Sequence, residues 1–235
     1  MNELMSFSAT LSSIEKAALK EILCNRIVGY FNDKNELSNL SQEKISSFNA
    51  LSHAIRELTP YSSDIPQNGI SFYGRPTWLT DDLLDTLQRE AQERKNKKLD
   101  RVDHFLSCGG EVADKLSVSK DIIKFISEHV GNIKPTGIAS YLYYDFQGGG
   151  IKPHVDTEVF YINLIIMLKH DAPYDGVEPS STIIFPPGMP SEKYQLKVGE
   201  VILMHGSSTI HTRSIISNGE DIHLLTIGFQ KTSNN

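Results

Sequence analysis

The chain has 235 residues, 39% hydrophobic and 22% charged, with a formal net charge of −6 and a sequence pI near 5.7. This is the make-up of an ordinary globular protein of one sizeable domain, and its acidic balance argues against a general phosphate-backbone binder, so no nucleic-acid partner is expected. No apolar run approaches a membrane span, no basic-then-apolar secretory signal opens the chain, and Cys24 and Cys108 read as free thiols; we expect a cytoplasmic protein with no membrane partner.

In chain order, the first half reads as helical. "SSIEKAALKEILCNRIVGYF" carries Ile14, Ala17, Leu19, Ile22, Leu23 and Ile27 at helical spacing, with Ser12 or Ser13 positioned to cap it. "SQEKISSFNALSHAIREL" repeats the pattern from a Ser41 cap, and the turn-rich "TPYSSDIPQNG" ends it. "TDDLLDTLQREAQERKNKKLDR" opens on a Thr-Asp-Asp cap. Its charge run over 89–101 mixes both signs, which predicts a solvated helix face rather than a grip on an acidic partner.

From about residue 137 the texture changes to short β-branched or aromatic runs separated by Gly, Pro, Asp and Asn: "GIASYLYYDFQ", "FYINLIIML", "STIIFPPG", "KYQLKVGEVILMH", "TIHTRSII" and "IHLLTIGFQ". Such a series suggests a β-sandwich or barrel. We expect a single α+β domain over 1–235, mainly helical over 1–136, with those helices packed on a β core over 137–231.

Within "GGGIKPHVDTEVFY", His154 and Asp156 stand at i and i+2. On an extended segment such side chains share a face, so both could reach one metal ion, with a third ligand supplied from elsewhere. Two histidines and a carboxylate make the facial triad of non-haem Fe(II) oxygenases, which leaves positions open for oxygen and organic ligands. Composition alone can supply such a pair by chance, so the surroundings carry the reading. Gly148, Gly149 and Gly150 precede the pair and "FYINLIIMLK" follows it. Further on, "VGEVILMHGSSTIHTRSI" gives a Gly-Glu turn, an apolar strand, a polar turn and a second strand bearing His211.

Tyr144, the glycine turn, His154, Asp156, Gly199-Glu200, "VILM" and His211 together resemble the pattern of the 2-oxoglutarate- and Fe(II)-dependent dioxygenase superfamily, over roughly 137–231. The resemblance implies a double-stranded β-helix of the jelly-roll or cupin-like kind. It implies Fe(II) held by His154, Asp156 and His211, with 2-oxoglutarate as cosubstrate and O2 as oxidant. The implied reaction couples decarboxylation of 2-oxoglutarate to oxidation of a small molecule, such as an amino acid or a natural-product intermediate. A carboxylate at Asp156 points to hydroxylation or desaturation rather than halogenation. His205 reads as a wall residue near the metal, and His223 falls where the family places cosubstrate-binding residues. His53, His104 and His129 read as ordinary surface or core histidines.

In many members an arginine about ten residues past the distal histidine grips the cosubstrate, whereas here Asp221 and His223 occupy that stretch, and an aspartate repels a carboxylate. Two basic residues are alternatives. By alternation Lys169 shares a face with Asn163, Ile165 and Met167, and it is similar in spacing to the cosubstrate lysine of the JmjC-like branch. Arg213 lies two residues past His211 and shares its face on a regular strand, where it could pair bidentately with a carboxylate. Each also has a plain reading, a strand-end lysine or a strand arginine in solvent. Tyr144 matches a position whose hydroxyl reaches the cosubstrate, or is a core aromatic; Asn163 is a polar lining candidate. Two other functions stay open at this point: an iron oxidase of the same fold that needs no 2-oxoglutarate, and a β-sandwich binding module in which the triad is incidental.

Overall fold

The computed structural model describes residues 9–27, 40–59, 62–100, 105–174 and 176–232, and its first helix opens at the expected cap. At the head of α1 (Ser13–Ile27), Glu15 N donates to Ser12 Oγ at 3.3 Å and Ser12 N to Glu15 Oε2 at 2.8 Å, a capping box. Ser41 and Thr80 cap α2 (Gln42–Glu57) and α3 (Asp81–Lys95) by accepting from the N–H groups of Lys44 and Leu83. Each cap of this kind contributes roughly 1 kcal/mol. Gly110, at the head of α4 (Glu111–Ser117), offers no side chain, and Glu90 of α3 caps that helix instead, accepting from Val112 N at 2.8 Å and Ala113 N at 3.0 Å. The charge run over 89–101 is therefore not only a solvated face, because Glu90 is turned inward to this task. Ser119 caps α5 (Lys120–Val130). The expected continuation of the first helix past Ile27, and His104, lie outside the described residues.

Strands β1 (Ile70–Gly74), β2 (Leu99–Asp100), β3 (Phe105–Cys108), β4 (Ile133–Tyr144), β6 (Ile162–His170), β9 (Val201–Met204) and β11 (Ile222–Lys231) form one sheet, in the order β1-β9-β6-β11-β4-β3-β2. Strands β5 (Ile151–His154), β7 (Thr182–Phe185), β8 (Glu192–Tyr194) and β10 (Ile210–Arg213) form a smaller one, in the order β5-β10-β7-β8. From β4 onward the chain passes back and forth between the two sheets, winding the double-stranded β-helix. Three strands of the larger sheet come from residues before 137. The expected division at 136 is thus no boundary in the sheet, whose edges are short strands of the first half.

Tyr144, Ile165, Met167, Ile202, Met204 and Leu224 pack between the sheets. On the far side of the larger sheet Leu164, Ile166, Leu225 and Ile227 meet Leu84, Leu87, Ile122 and Ile126 of α3 and α5. α1 and α2 cover the smaller sheet, with Ile27, Phe48 and Ile55 against Ile183, Phe185 and Ile210. Burying each such side chain contributes roughly 1.5–3 kcal/mol. Among the described residues no helix is long and apolar enough to cross a membrane.

One irregularity bears on the site. Leu224 of β11 pairs with Met167 of β6, but the next residue, His223, pairs with Lys169, so Leu168 is an extra residue on β6. A bulge of this kind shifts the inward-outward alternation by one position. Lys169 therefore follows His223 to the outer side and does not share the inner face of Asn163, Ile165 and Met167.

Candidate metal centre

β5 and β10 run antiparallel with His154 directly opposite His211, and the two imidazole centroids are 4.3 Å apart. Directly paired residues project from the same face of a sheet, which brings both rings to the interior of the β-helix. Past the end of β5 the chain turns, and Asp156 N donates to Gly206 O at 2.9 Å. That contact returns the carboxylate to the histidines: Oδ1 of Asp156 lies 3.6 Å from Nε2 of His154 and 3.6 Å from Nε2 of His211. The three ligand atoms all lie within 4.8 Å of one another.

The orientation of each group is set by a second contact. Nδ1 of His154 is 2.7 Å from Lys152 O, and Nδ1 of His211 is 2.9 Å from Thr209 O. A carbonyl only accepts, so both Nδ1 atoms carry the proton and both Nε2 atoms present a lone pair. Asn163 Nδ2 donates to Asp156 Oδ2 at 2.8 Å, which leaves Oδ1 toward the histidines. Burial pushes His211 down to about 4, so the ring is neutral at neutral pH despite the nearby carboxylate. Burial pushes the Asp156 carboxyl upward, but His211 and His154 when protonated, and the Asn163 amide that donates to it, hold it below the usual range. Two neutral imidazoles and one carboxylate, pre-oriented on one point, suit a divalent transition metal such as Fe(II).

The triad lines a cavity of about 210 Å³ between the sheets, together with Tyr144, Asn163 and Arg213. Of its three members His154 is the most exposed, at 27% of its side chain. Leu106, Leu142, Phe160, Ile165 and Leu224 supply apolar walls. Asn163 Oδ1 is buried with no hydrogen-bond partner among the described residues. Arg213 is 2% exposed rather than in solvent, and burial pushes its guanidinium down to about 10, still charged at neutral pH.

The structure separates the other candidates from this cavity. Lys169 Nζ pairs with Asp221 Oδ2 at 2.7 Å and Asp171 Oδ2 at 2.9 Å, and it is not among the lining residues. Asp221 also takes Lys95 of α3 at 2.8 Å, and these lysines hold its carboxyl at about 2 although burial opposes them. His223 faces outward into the same group, 3.2 Å from Lys95 Nζ and edge-on to Tyr143, and it is not among the cavity's lining residues. His205 is fully buried, 3.1 Å from Ser71 Oγ, and is likewise absent from the lining. His53 and His129 lie on α2 and α5, away from the cavity.

Two buried residues at the Arg213 end were not singled out by the sequence. Arg213 Nη2 donates to Ser180 O at 2.9 Å and to Ser180 Oγ at 2.8 Å. Ser180 in turn donates to Glu220, whose side chain is 0% exposed. The available signal was "GED" standing where an arginine was expected, an acidic pair with no evident partner in the sequence.

No family model matches the chain, and no curated protein sequence does. Solved structures do match in fold. The non-heme alpha ketoglutarate dependent epimerase SnoN from nogalamycin biosynthesis aligns at a TM-score of 0.58 and 15% identity, over 69% of this chain and 78% of that one. A Pseudomonas putida prolyl-4-hydroxylase aligns at a TM-score of 0.53 and 12% identity, over 68% of this chain and 93% of that one. HygX from Streptomyces hygroscopicus, with nickel, 2-oxoglutarate and hygromycin B bound, aligns at 0.54 and 12% identity, over 70% and 84%. The chain has the double-stranded β-helix fold of these enzymes.

Proposed function

We propose that the protein is a non-haem Fe(II)- and 2-oxoglutarate-dependent oxygenase acting on a small molecule. The observation that carries this reading is the convergence of His154, Asp156 and His211, with Nε2, Oδ1 and Nε2 turned inward, on a cavity that also holds a buried arginine. The fold shared with SnoN and HygX supports it, and so do the apolar walls of the cavity that the triad lines.

Each residue's task follows from its chemistry. His154, Asp156 and His211 hold the metal, and Asn163 keeps the Asp156 carboxylate aimed. Arg213 binds the distal carboxylate of 2-oxoglutarate; a planar guanidinium fork suits that group better than the point charge of a lysine. Tyr144, in the same cavity, offers a hydroxyl to the cosubstrate. Leu106, Leu142, Phe160 and Leu224 exclude water and hold an apolar part of the substrate beside the metal. When bound, the metal and cosubstrate supply the oxidising power that removes hydrogen from an unactivated C–H bond.

The test is Fe(II)-dependent turnover of 2-oxoglutarate to succinate, measured with and without candidate substrates. Succinate formation that requires both Fe(II) and O2 supports the reading. Stoichiometric iron binding with oxygen uptake but no 2-oxoglutarate turnover would instead identify an iron oxidase of the same fold. Failure to bind Fe(II) or Mn(II) would leave a β-sandwich binding module.

A further inference from the structure

We infer that Ser180 and Glu220 are positioning residues that hold Arg213 in the orientation that receives the cosubstrate carboxylate, an inference that rests on the assignment of Arg213 above. Three separate segments meet here: the end of β10, the residues just before β7, and the turn that opens β11. Ser180 is the hinge between them. Its carbonyl and its hydroxyl oxygen both accept from Arg213 Nη2, at 2.9 and 2.8 Å, and two acceptors on one nitrogen fix the plane of a rigid fork. The same hydroxyl has one proton to give, and it gives it to Glu220 Oε1 at 2.9 Å. Ser180 N reinforces the link, donating to Oε1 at 2.7 Å.

Glu220 is itself held on every side. Its Oε2 accepts from Ser217 N at 2.7 Å, and its Oε1 lies 2.9 Å from His170 Nε2. A carboxylate buried at 0% side-chain exposure is costly unless paired and hydrogen-bonded, and the Ser180 hydroxyl links it directly to the Arg213 guanidinium. The acidic stretch before β11 thus has a use: Glu220 reaches the cavity arginine through Ser180 while the next residue, Asp221, pairs with the outer lysines. The two carboxylates, adjacent in sequence, serve opposite sides of the larger sheet.

The experiment is an anaerobic titration of Mn(II)- and Fe(II)-loaded protein with 2-oxoglutarate, read by calorimetry and by the charge-transfer absorbance of the iron form. Glu220→Gln keeps the shape and removes the charge; Ser180→Ala removes the relay; Ser180→Thr keeps a hydroxyl. We expect Glu220→Gln and Ser180→Ala each to weaken 2-oxoglutarate binding about tenfold or more, with Mn(II) affinity within about twofold of wild type and Ser180→Thr restoring most of the loss. Combining Glu220→Gln with Arg213→Ala should add little to Arg213→Ala alone, since both act through one group. Wild-type cosubstrate affinity in Glu220→Gln and Ser180→Ala, with Arg213→Ala impaired, overturns the positioning role and leaves the function standing. Metal-loaded wild type that binds no 2-oxoglutarate overturns both. Should Glu220→Gln fail to fold, the Ser180 variants decide alone.

Discussion

Asn163 donates from Nδ2 to Oδ2 of Asp156 at 2.8 Å, from the inner face of β6 to the turn after β5. One carboxylate oxygen is thereby fixed and the other, Oδ1, is left 3.6 Å from both imidazole Nε2 atoms. Replacing Asn163 with Ala removes a side chain that aims Asp156 without touching any of the three donor atoms. Outer contacts of this sort change metal affinity by roughly 10- to 100-fold. We expect a Mn(II) dissociation constant raised by about that factor, with thermal stability near wild type. Unchanged Mn(II) affinity would show that the turn alone orients the carboxylate.

Gly206 tests the same geometry from the other side. A Cβ built there would fall on Asp156 Oδ2 and lie 2.8 Å from Phe160 O and 3.1 Å from Asn163 Cβ. Its own carbonyl meanwhile accepts from Asp156 N at 2.9 Å. Gly206→Ala should therefore push the carboxylate off the histidines and abolish measurable Mn(II) binding. Gly131→Ala, where nothing lies within 4 Å of the new Cβ, is the control for a glycine change remote from the cavity. Its positive φ makes some loss of stability expected, but no loss of metal binding.

The triad was legible because strand geometry is local. His154 and His211 needed only two short strands and an antiparallel register, and Asp156 needed only the turn that follows β5. Which of the two basic residues faces the cavity was not legible, for the opposite reason. Counting inward and outward residues along "FYINLIIMLK" puts Lys169 inside, and a single bulged residue at Leu168 puts it outside. Bulges come from the fit between neighbouring strands, which one segment's alternation does not encode. Ser180 and Glu220 were missed because serine and glutamate in turns are ordinary, and only tertiary folding brings them to Arg213. The larger sheet's first-half strands were missed because β1 has 5 residues, β2 has 2 and β3 has 4, too few to show a period.

The same contrast separates the two basic residues by measurement. Lys169 is 38% exposed on its side chain and already paired with Asp221 and Asp171, whereas Arg213 lines the cavity. Lys169→Ala should leave 2-oxoglutarate affinity within about twofold and cost at most about 1 kcal/mol of stability, as partly exposed ion pairs do. Arg213→Ala should weaken 2-oxoglutarate binding about a hundredfold, the loss expected for a hydrogen-bonded charge pair. Equal effects of the two substitutions on cosubstrate binding would remove Arg213 from its assigned role.

Acid should destabilise the fold in a defined window through His205. Its imidazole is buried against Ser71 and Tyr161, and burial first, then the nearby Lys231 and Arg56, push it down to about 4 from an unfolded value near 6.5. Asp64 opposes that shift and does not overcome it. Between those two values the unfolded chain binds a proton that the folded chain refuses, so stability rises with pH across the interval. The contribution is complete above about pH 6.5 and is lost as pH falls toward 4. At pH 4.5 the loss from this one group is on the order of 2 kcal/mol. His223, held down by burial beside Lys95 and Lys169, adds to the loss with the same sign. Asp221, with its carboxyl held at about 2, begins to contribute only below the ordinary carboxylate range. Urea midpoints at pH 7.5, 5.5 and 4.5 should therefore decline for wild type and decline less steeply for His205→Gln, which cannot titrate. Parallel declines in the two proteins would mean that the His205 proton is not what the folded state excludes.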